Sequence, residues 1–272
     1  MNPSNYSSIS FPFLGIEINP PRMFSVGPFT AHYYGLIIAV GLILAVLYAM
    51  RRSKEFGLKE DDILDGVIWV TPFAIACARA YYVAFTWESY RDDPISVLYI
   101  WEGGIAIYGG VIGAIIGMVV MSRIKKVKFT TVLDLILMVF LLGQAIGRWG
   151  NFMNREAFGA PVSQDYFLAM GLFNRYLGEY QYFHPTFLYE SICTLIIFII
   201  LSKMSKDRKY SGQITFYYIL MYSFIRGLIE NIRIDSLMLY NFKISQILSM
   251  GLFVVFCIII SKKEIKQKNI QK

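Results

Sequence analysis

The stretch GQAIGRWGNFMNREAFG, residues 143–159, ends an apolar run with side chains suited to an anion rather than to hydrocarbon. Gln144, Arg148, Asn151 and Arg155 stand at i, i+4, i+7 and i+11, so a continuing helix lines them along one face. Asn154, Glu156 and Gly159 follow directly. Residues 216–236 repeat the theme: Tyr222, Arg226 and Glu230 stand at i, i+4 and i+8, with Arg233 a turn further along the same face and Asp235 further out. Arginine is the side chain best shaped to grip phosphate through two parallel hydrogen bonds. Arg148, Arg155, Arg226 and Arg233 outnumber Glu156 and Glu230, and such a surplus is costly in a low-dielectric place unless an anion arrives. The implied ligand is a phosphate, with a phospholipid head group as its obvious source. Simpler readings exist for single residues: arginines at helix ends snorkel, and Arg226 with Glu230 make a self-neutralising i, i+4 pair. Neither accounts for two asparagines and a glutamate in the same turns.

The elements that carry these residues are read as membrane spans. The chain of 272 residues is 56% apolar and only 17% charged, against about 25% charged in soluble domains. Seven long, nearly uncharged stretches run at about 31–50, 66–87, 103–122, 129–147, 185–202, 210–229 and 244–261, each near the ~20 residues a spanning helix needs. The fold class is an all-α integral membrane protein of about seven transmembrane helices with a small extracytoplasmic head. A single polytopic domain is expected over residues 1–272. Most of the 26 basic residues fall after the first, third and fifth spans and in the tail, which puts those loops in the cytoplasm, the N-terminus outside and the C-terminus inside. That bias explains the net charge of +7 and needs no nucleic acid. Residues 1–30, with several prolines and no basic n-region, read as an extracytoplasmic arm rather than a signal peptide. Residues 148–184 are the expected signature loop and head.

The remaining polar groups fit the same outer level. Tyr33 and Tyr34 open the first span, Tyr33 as part of an aromatic belt. Gly109, Gly113 and Gly117, spaced by four after Tyr108, form a strip for close helix packing. Gly143, Gly147 and Gly150 form another beside the arginine face. Arg79, past the middle of the second span, must face the interior or a wet cavity, either toward a ligand or as a partner for a carboxylate or for backbone carbonyls. His184 and Glu190 lie near the outer mouth of the fifth span. Asp134, in the first turns of the fourth, reads as structural, favoured by the helix dipole. Cys77, Cys193 and Cys257 all fall inside spans without metal-binding spacing, and with only His32 and His184 no metal site is expected.

The strings GRWGNFMNREAFG, HYYG, WEGGIAIYGGVIG, HPTFLYES and RGLIENIRIDS together resemble the bacterial prolipoprotein diacylglyceryl transferases, in order and spacing over most of the chain. The resemblance implies transfer of the diacylglyceryl group of phosphatidylglycerol to the cysteine thiol of a prolipoprotein lipobox, giving a thioether and glycerol phosphate without metal or dissociable cofactor. It implies a multi-pass protein of the bacterial cytoplasmic membrane with its site toward the outer leaflet. It assigns lipid binding and activity to Arg148 and Arg226 and a place near the head group to Tyr34. Asn151 and Asn154 would donate beside the arginines, and Glu156 and Glu230 would position them or handle a proton. Gly159 would allow an approach that a side chain blocks. Tyr222, Arg233, His184 and Arg79 complete the expected substrate-binding set. Tyr108 stands where many family members have a histidine considered as a base for the thiol. A tyrosine with pKa near 10 is a poor base at neutral pH. The cationic field then lowers the thiol's own pKa, or Glu156 takes the proton, or Tyr108 acts through hydrogen bonding; the first is preferred. Two other classes compete with this reading, a lipid or anion transporter and a lipid-binding scaffold. A transporter would need a polar track to both faces, and a scaffold would need neither Glu156 nor the asparagines.

Overall fold

A computed structural model describes residues 3–27, 29–234, 236, 238–240 and 242–270; Asp235 lies outside them. Seven long helices are present among the described residues: α1 (Tyr33–Arg52), α2 (Glu60–Phe85), α3 (Ile107–Ile124), α4 (Phe129–Asn154), α5 (Thr186–Met204), α6 (Gln213–Ile232) and α7 (Ile244–Ile270). Their ends follow local chemistry. Arg51 and Arg52 complement the C-terminal dipole of α1. The Asp62 carboxylate accepts the Lys59 backbone N–H and caps the start of α2. Six of the seven are long and apolar enough to cross a membrane. The exception, α6, is 20 residues long but carries Arg226 and Glu230, which pair with each other at 2.7 Å.

The chain divides into two units, residues 1–45 with 137–272, and residues 46–136. In the larger unit, α1 meets α4 along small residues. A Cβ added to Gly147 would lie 3.0 Å from Ile38, and one added to Gly150 only 2.7 Å from the Tyr34 ring. The N-terminal arm is not merely polar chain. It forms β1 (Tyr6–Phe11), β2 (Ile16–Ile18), β3 (Met23–Val26) and β4 (Phe29–His32). The strands β5 (Met170–Asn174) and β6 (Glu179–Phe183) come from the expected head, and β7 (Met238–Leu239) with β8 (Phe242–Lys243) make a hairpin after α6. The head is an antiparallel sheet ordered β2-β1-β5-β6, with Ile9 opposite Leu172 and Leu172 opposite Gln181. Its apolar face, Tyr6, Ile9, Met170, Leu172 and Phe183, packs with Phe152 at the end of α4, Phe158, and Phe187 at the start of α5. The sheet therefore rests on the two helix ends that carry the signature residues.

In the smaller unit, α3 packs on α2 through its glycine strip. A Cβ on Gly109 would fall 2.5 Å from the Tyr81 Cβ, and one on Gly113 2.6 Å from the Cys77 Cβ. No larger residue fits there, which is how small residues let apolar helices associate when lipid gives no hydrophobic driving force. Lys125, after α3, ties back to Asp62 and Asp65 of α2, each at 2.6 Å. These two carboxylates raise the lysine pKa, so it stays charged. Asp134 is fully buried within the early turns of α4.

Candidate functional site

Three helix ends converge on one carboxylate. Arg148 from α4, Arg226 from α6 and Arg233, just past the end of α6, all reach Glu190 of α5. The Arg226 and Arg233 contacts to Oε1 are 3.0 and 3.2 Å, and Arg148 approaches Oε2. Arg226 also reaches Glu230. Glu190 is 3% exposed, whereas the side chains of Arg148, Arg226 and Arg233 keep 22%, 20% and 12% of their surface open. The carboxylate thus sits behind the guanidiniums, and the guanidiniums face outward. A buried carboxylate is tolerated because it is paired several times over. Arg148 and Arg226 each engage two of five N–H donors among the described residues, which leaves donors for a further anion.

The groups around this cluster are ordered by α4 and its exit. Gln144 donates to the Tyr222 hydroxyl at 3.0 Å, and Tyr222 stacks on Tyr218 with planes 8° apart. Asn151 accepts from Arg148 at 3.4 Å and donates to Glu156 Oε1 at 2.9 Å; Asn154 donates to the same oxygen at 3.3 Å. The asparagines therefore hold Glu156 in place beside Arg148. Gly159 lies where three segments cross. Its N–H donates to the His184 carbonyl at 2.9 Å, and the next N–H, of Ala160, donates to the Ile232 carbonyl at 2.6 Å. A Cβ on Gly159 would fall 2.8 Å from the His184 Cβ and 2.9 Å from the Ile232 oxygen. Only glycine lets the exit of α4 touch both the entry of α5 and the exit of α6. The Tyr34 ring lies against Gly150, two residues along α4 from Arg148.

Other expected residues are engaged elsewhere. Arg155 does not continue the arginine face: α4 ends at Asn154 and Arg155 takes φ +55°. Its guanidinium turns into the head, donating to the carbonyls of Ser7, Met153 and Pro20 and to Asn19 Oδ1. Burial, with Arg22 and Arg175 nearby, lowers its pKa to about 10, so it remains charged at neutral pH. Arg79 is likewise a clamp. Its donors reach the carbonyls of Ser96, Val97, Tyr99, Gly103 and Gly104, which fold the segment before α3 over it. Gly104 must be glycine, since its φ is +75° and a Cβ there would overlap the Arg79 guanidinium. His184 meets the Tyr189 hydroxyl at 3.2 Å and the edge of the Tyr166 ring. Burial lowers its pKa, which keeps it neutral. Tyr108 belongs to the smaller unit, is 74% exposed at the start of α3, and has no hydrogen-bond partner among the described residues.

Two residues of the site were not on the sequence-derived set. Glu190 is the hub, and its signal was available as the lone Asp, Glu, Lys or Arg within the apolar stretch 185–202. Lys243 donates to the carbonyls of Glu230, Asn231 and Arg233 at 2.6, 3.1 and 2.7 Å, closing the C-terminal end of α6. Nothing in its sequence context marks it.

A family model described as prolipoprotein diacylglyceryl transferase matches residues 21–262. The chain is similar to the phosphatidylglycerol–prolipoprotein diacylglyceryl transferase of Bacillus velezensis, with 42% identity over 93% of this chain and 94% of the relative. The enzyme of that name from Clostridium novyi is 41% identical over 92% of this chain and 98% of its own length. That from Limosilactobacillus reuteri is 42% identical over 92% of each.

Proposed function

The chain belongs to the prolipoprotein diacylglyceryl transferase family, and from that premise we propose how its residues carry the reaction. It is a multi-pass membrane transferase that moves the diacylglyceryl group of phosphatidylglycerol onto a prolipoprotein, the first step of lipoprotein maturation. The acceptor is the thiol of a lipobox cysteine. The lipid phosphate lies against Arg148 and Arg226, with Arg233 beside them. The observation that carries this is the Glu190-centred cluster: guanidiniums from two helices, gathered by one buried carboxylate, with donors still open.

The thiol sulfur bonds to the glycerol carbon as that carbon's bond to the phosphate oxygen breaks. The electron pair leaves with the oxygen, and glycerol phosphate departs. Negative charge therefore grows on oxygens that the guanidiniums already face, and preorganised donors aimed at developing charge are among the largest contributors to catalysis. The cationic field also favours the thiolate. Of the three carboxylates nearby, Glu190 and Glu230 are committed to arginines, whereas Glu156 is held by amides. Glu156 is the acceptor for the thiol proton in this reading. Tyr34 borders the head group. The basic loops after α1, α3 and α5 support an orientation with those loops in the cytoplasm and the head and arginine cluster at the outer face of a bacterial cytoplasmic membrane.

The test is a mass spectrum. The purified protein is incubated with phosphatidylglycerol and a lipobox peptide, beside a Cys→Ser peptide and the Arg148→Ala protein. A peptide heavier by one diacylglyceryl unit, formed only with the thiol and with Arg148, is expected. No gain from a folded, lipid-binding preparation would turn the reading toward a lipid-binding scaffold.

A further inference from the structure

We propose that Tyr222, held by Gln144, donates a hydrogen bond to an ester carbonyl of the diacylglyceryl group and so selects ester-linked over ether-linked lipid. The proposal rests on the reading of the arginine cluster as the phosphatidylglycerol site and deepens it. Each of α4 and α6 carries two polar residues one turn apart, Gln144 then Arg148 and Tyr222 then Arg226. The outer two are joined through Glu190. The inner two meet directly, Gln144 Nε2 donating to the Tyr222 hydroxyl at 3.0 Å. The side chains of the two helices therefore form a charged rung toward the helix ends and a neutral rung one turn, about 5.4 Å, nearer the helix middles.

The neutral rung is arranged to give a hydrogen bond. The phenol oxygen of Tyr222 already accepts from the amide, and its own O–H reaches no acceptor among the described residues. Its ring is fixed by stacking on the buried Tyr218, with centroids 5.7 Å apart, while Tyr222 itself stays half-buried. Gln144 Oε1 is buried without a partner among the described residues. Such an atom is uncommon in a folded protein, and it marks Gln144 as placed for its contact with Tyr222, since an apolar residue would serve for packing alone.

A phosphoglyceride presents the complementary order. Its phosphate accepts from guanidiniums, and its ester carbonyls, a few bonds further toward the chains, accept from neutral donors. With the phosphate on Arg148 and Arg226, the chains run toward the hydrocarbon along the helices and the esters fall at the inner rung. A dialkyl lipid keeps the phosphate and the chains but has no carbonyl, so it leaves the phenol O–H unpaired. A site with a buried donor rejects the analogue that lacks the acceptor. Gln144 is a positioning residue, acting through Tyr222.

The experiment uses the full chain in phosphatidylcholine nanodiscs doped with diacyl or dialkyl phosphatidylglycerol of matched chain length. A lipobox peptide is added, and kcat/KM for each lipid is read from the mass of the product. Wild type should favour the diacyl lipid about tenfold, the worth of one neutral hydrogen bond in poorly hydrated surroundings. In Tyr222→Phe the preference should fall to within about twofold of unity. In Gln144→Met it should fall to about threefold, and the double variant should be no lower than Tyr222→Phe alone, because both changes act on one bond. An intrinsic difference in reactivity between the two lipids would persist in Tyr222→Phe. A preference retained there therefore overturns the proposal, as does a wild-type preference near unity. If Tyr222→Phe does not fold, an unchanged preference in Gln144→Met overturns it equally. Arg148→Gln tests the underlying reading separately. It should slow transfer from both lipids and keep their ratio, whereas a wild-type KM for both would remove the lipid from the cluster whatever Tyr222 does.

Discussion

Buried arginine serves two opposite purposes in this molecule. Arg79 and Arg155 spend their donors on backbone carbonyls, five of them around Arg79 and three, with one side-chain amide oxygen, around Arg155. They are clamps that fold irregular chain around a fixed fork. Arg148 and Arg226 instead meet carboxylates, with donors remaining. Sequence depth alone does not distinguish the two kinds, since all four stand in or beside apolar spans. What distinguishes them is whether the partner set exhausts the guanidinium. A saturated arginine has nothing to offer a ligand, and an unsaturated, partly open one does.

The sharpest contrast is between Arg148 and Arg155, seven residues apart. Arg148→Gln is expected to lower diacylglyceryl transfer by about 10²–10³-fold, the usual cost of a lost oxyanion donor, with the melting temperature little changed. Product mass and thermal unfolding measured on one preparation check both halves. Arg155→Ala should do the reverse. It leaves several buried carbonyls without a donor and should destabilise the protein by about 3 kcal/mol, seen as a lower melting point and faster proteolysis of the head. The pKa of Arg155 is depressed to about 10, below its unfolded value. Its charge therefore opposes folding fully at any pH below that, and the destabilisation should be flat from pH 5 to 8. A pH-dependent loss, or lost activity with intact stability, would make Arg155 a member of the site after all.

Gly159→Ala tests the crossing that brings the helix ends together. The added methyl meets the His184 Cβ and the Ile232 oxygen, and overpacking of this kind costs about 1–3 kcal/mol. Activity should fall with it, because the same crossing sets the distance between α5, which carries Glu190, and the end of α6, which carries Arg233. A smaller and more local effect is expected of Arg79→Ala. Amide exchange over residues 94–104 should accelerate while the KM for phosphatidylglycerol changes less than twofold, because that guanidinium's donors go to carbonyls and its face to the Tyr90 ring. A raised KM would show that a saturated arginine can still reach the lipid.

The spans, the glycine strips and the residues Arg148, Arg226 and Glu230 were legible because helical spacing is local: i, i+4 and i+8 are visible in a string. Arg155 misled for the same reason. The spacing carried the helix through it, while the chain leaves the helix there, with positive φ at Arg155 and again at Ala157. Glu190 stood in view as a lone carboxylate in an apolar stretch, but its role depends on three helices meeting, which no single stretch displays. The head sheet was hidden more thoroughly. Its central pairing joins β1 to β5 across most of the chain, and a bulge between Tyr6 and Ile9 spoils the alternation that would have marked β1.

Tyr108 supplies the smallest expected effect and the most pointed one. The resemblance noted in the sequence implied a histidine's place for it, and that alone suggested proton transfer. The arginine cluster itself holds a carboxylate, Glu156, fixed by two amides beside Arg148, as a proton acceptor requires. Tyr108→Phe should therefore keep transfer within about twofold of wild type, whereas Glu156→Gln should slow the first turnover by about 10²-fold, a typical general-base contribution. Restored or raised activity in Tyr108→His, with Glu156→Gln silent, would reverse the assignment and move the proton from the end of α4 to the start of α3.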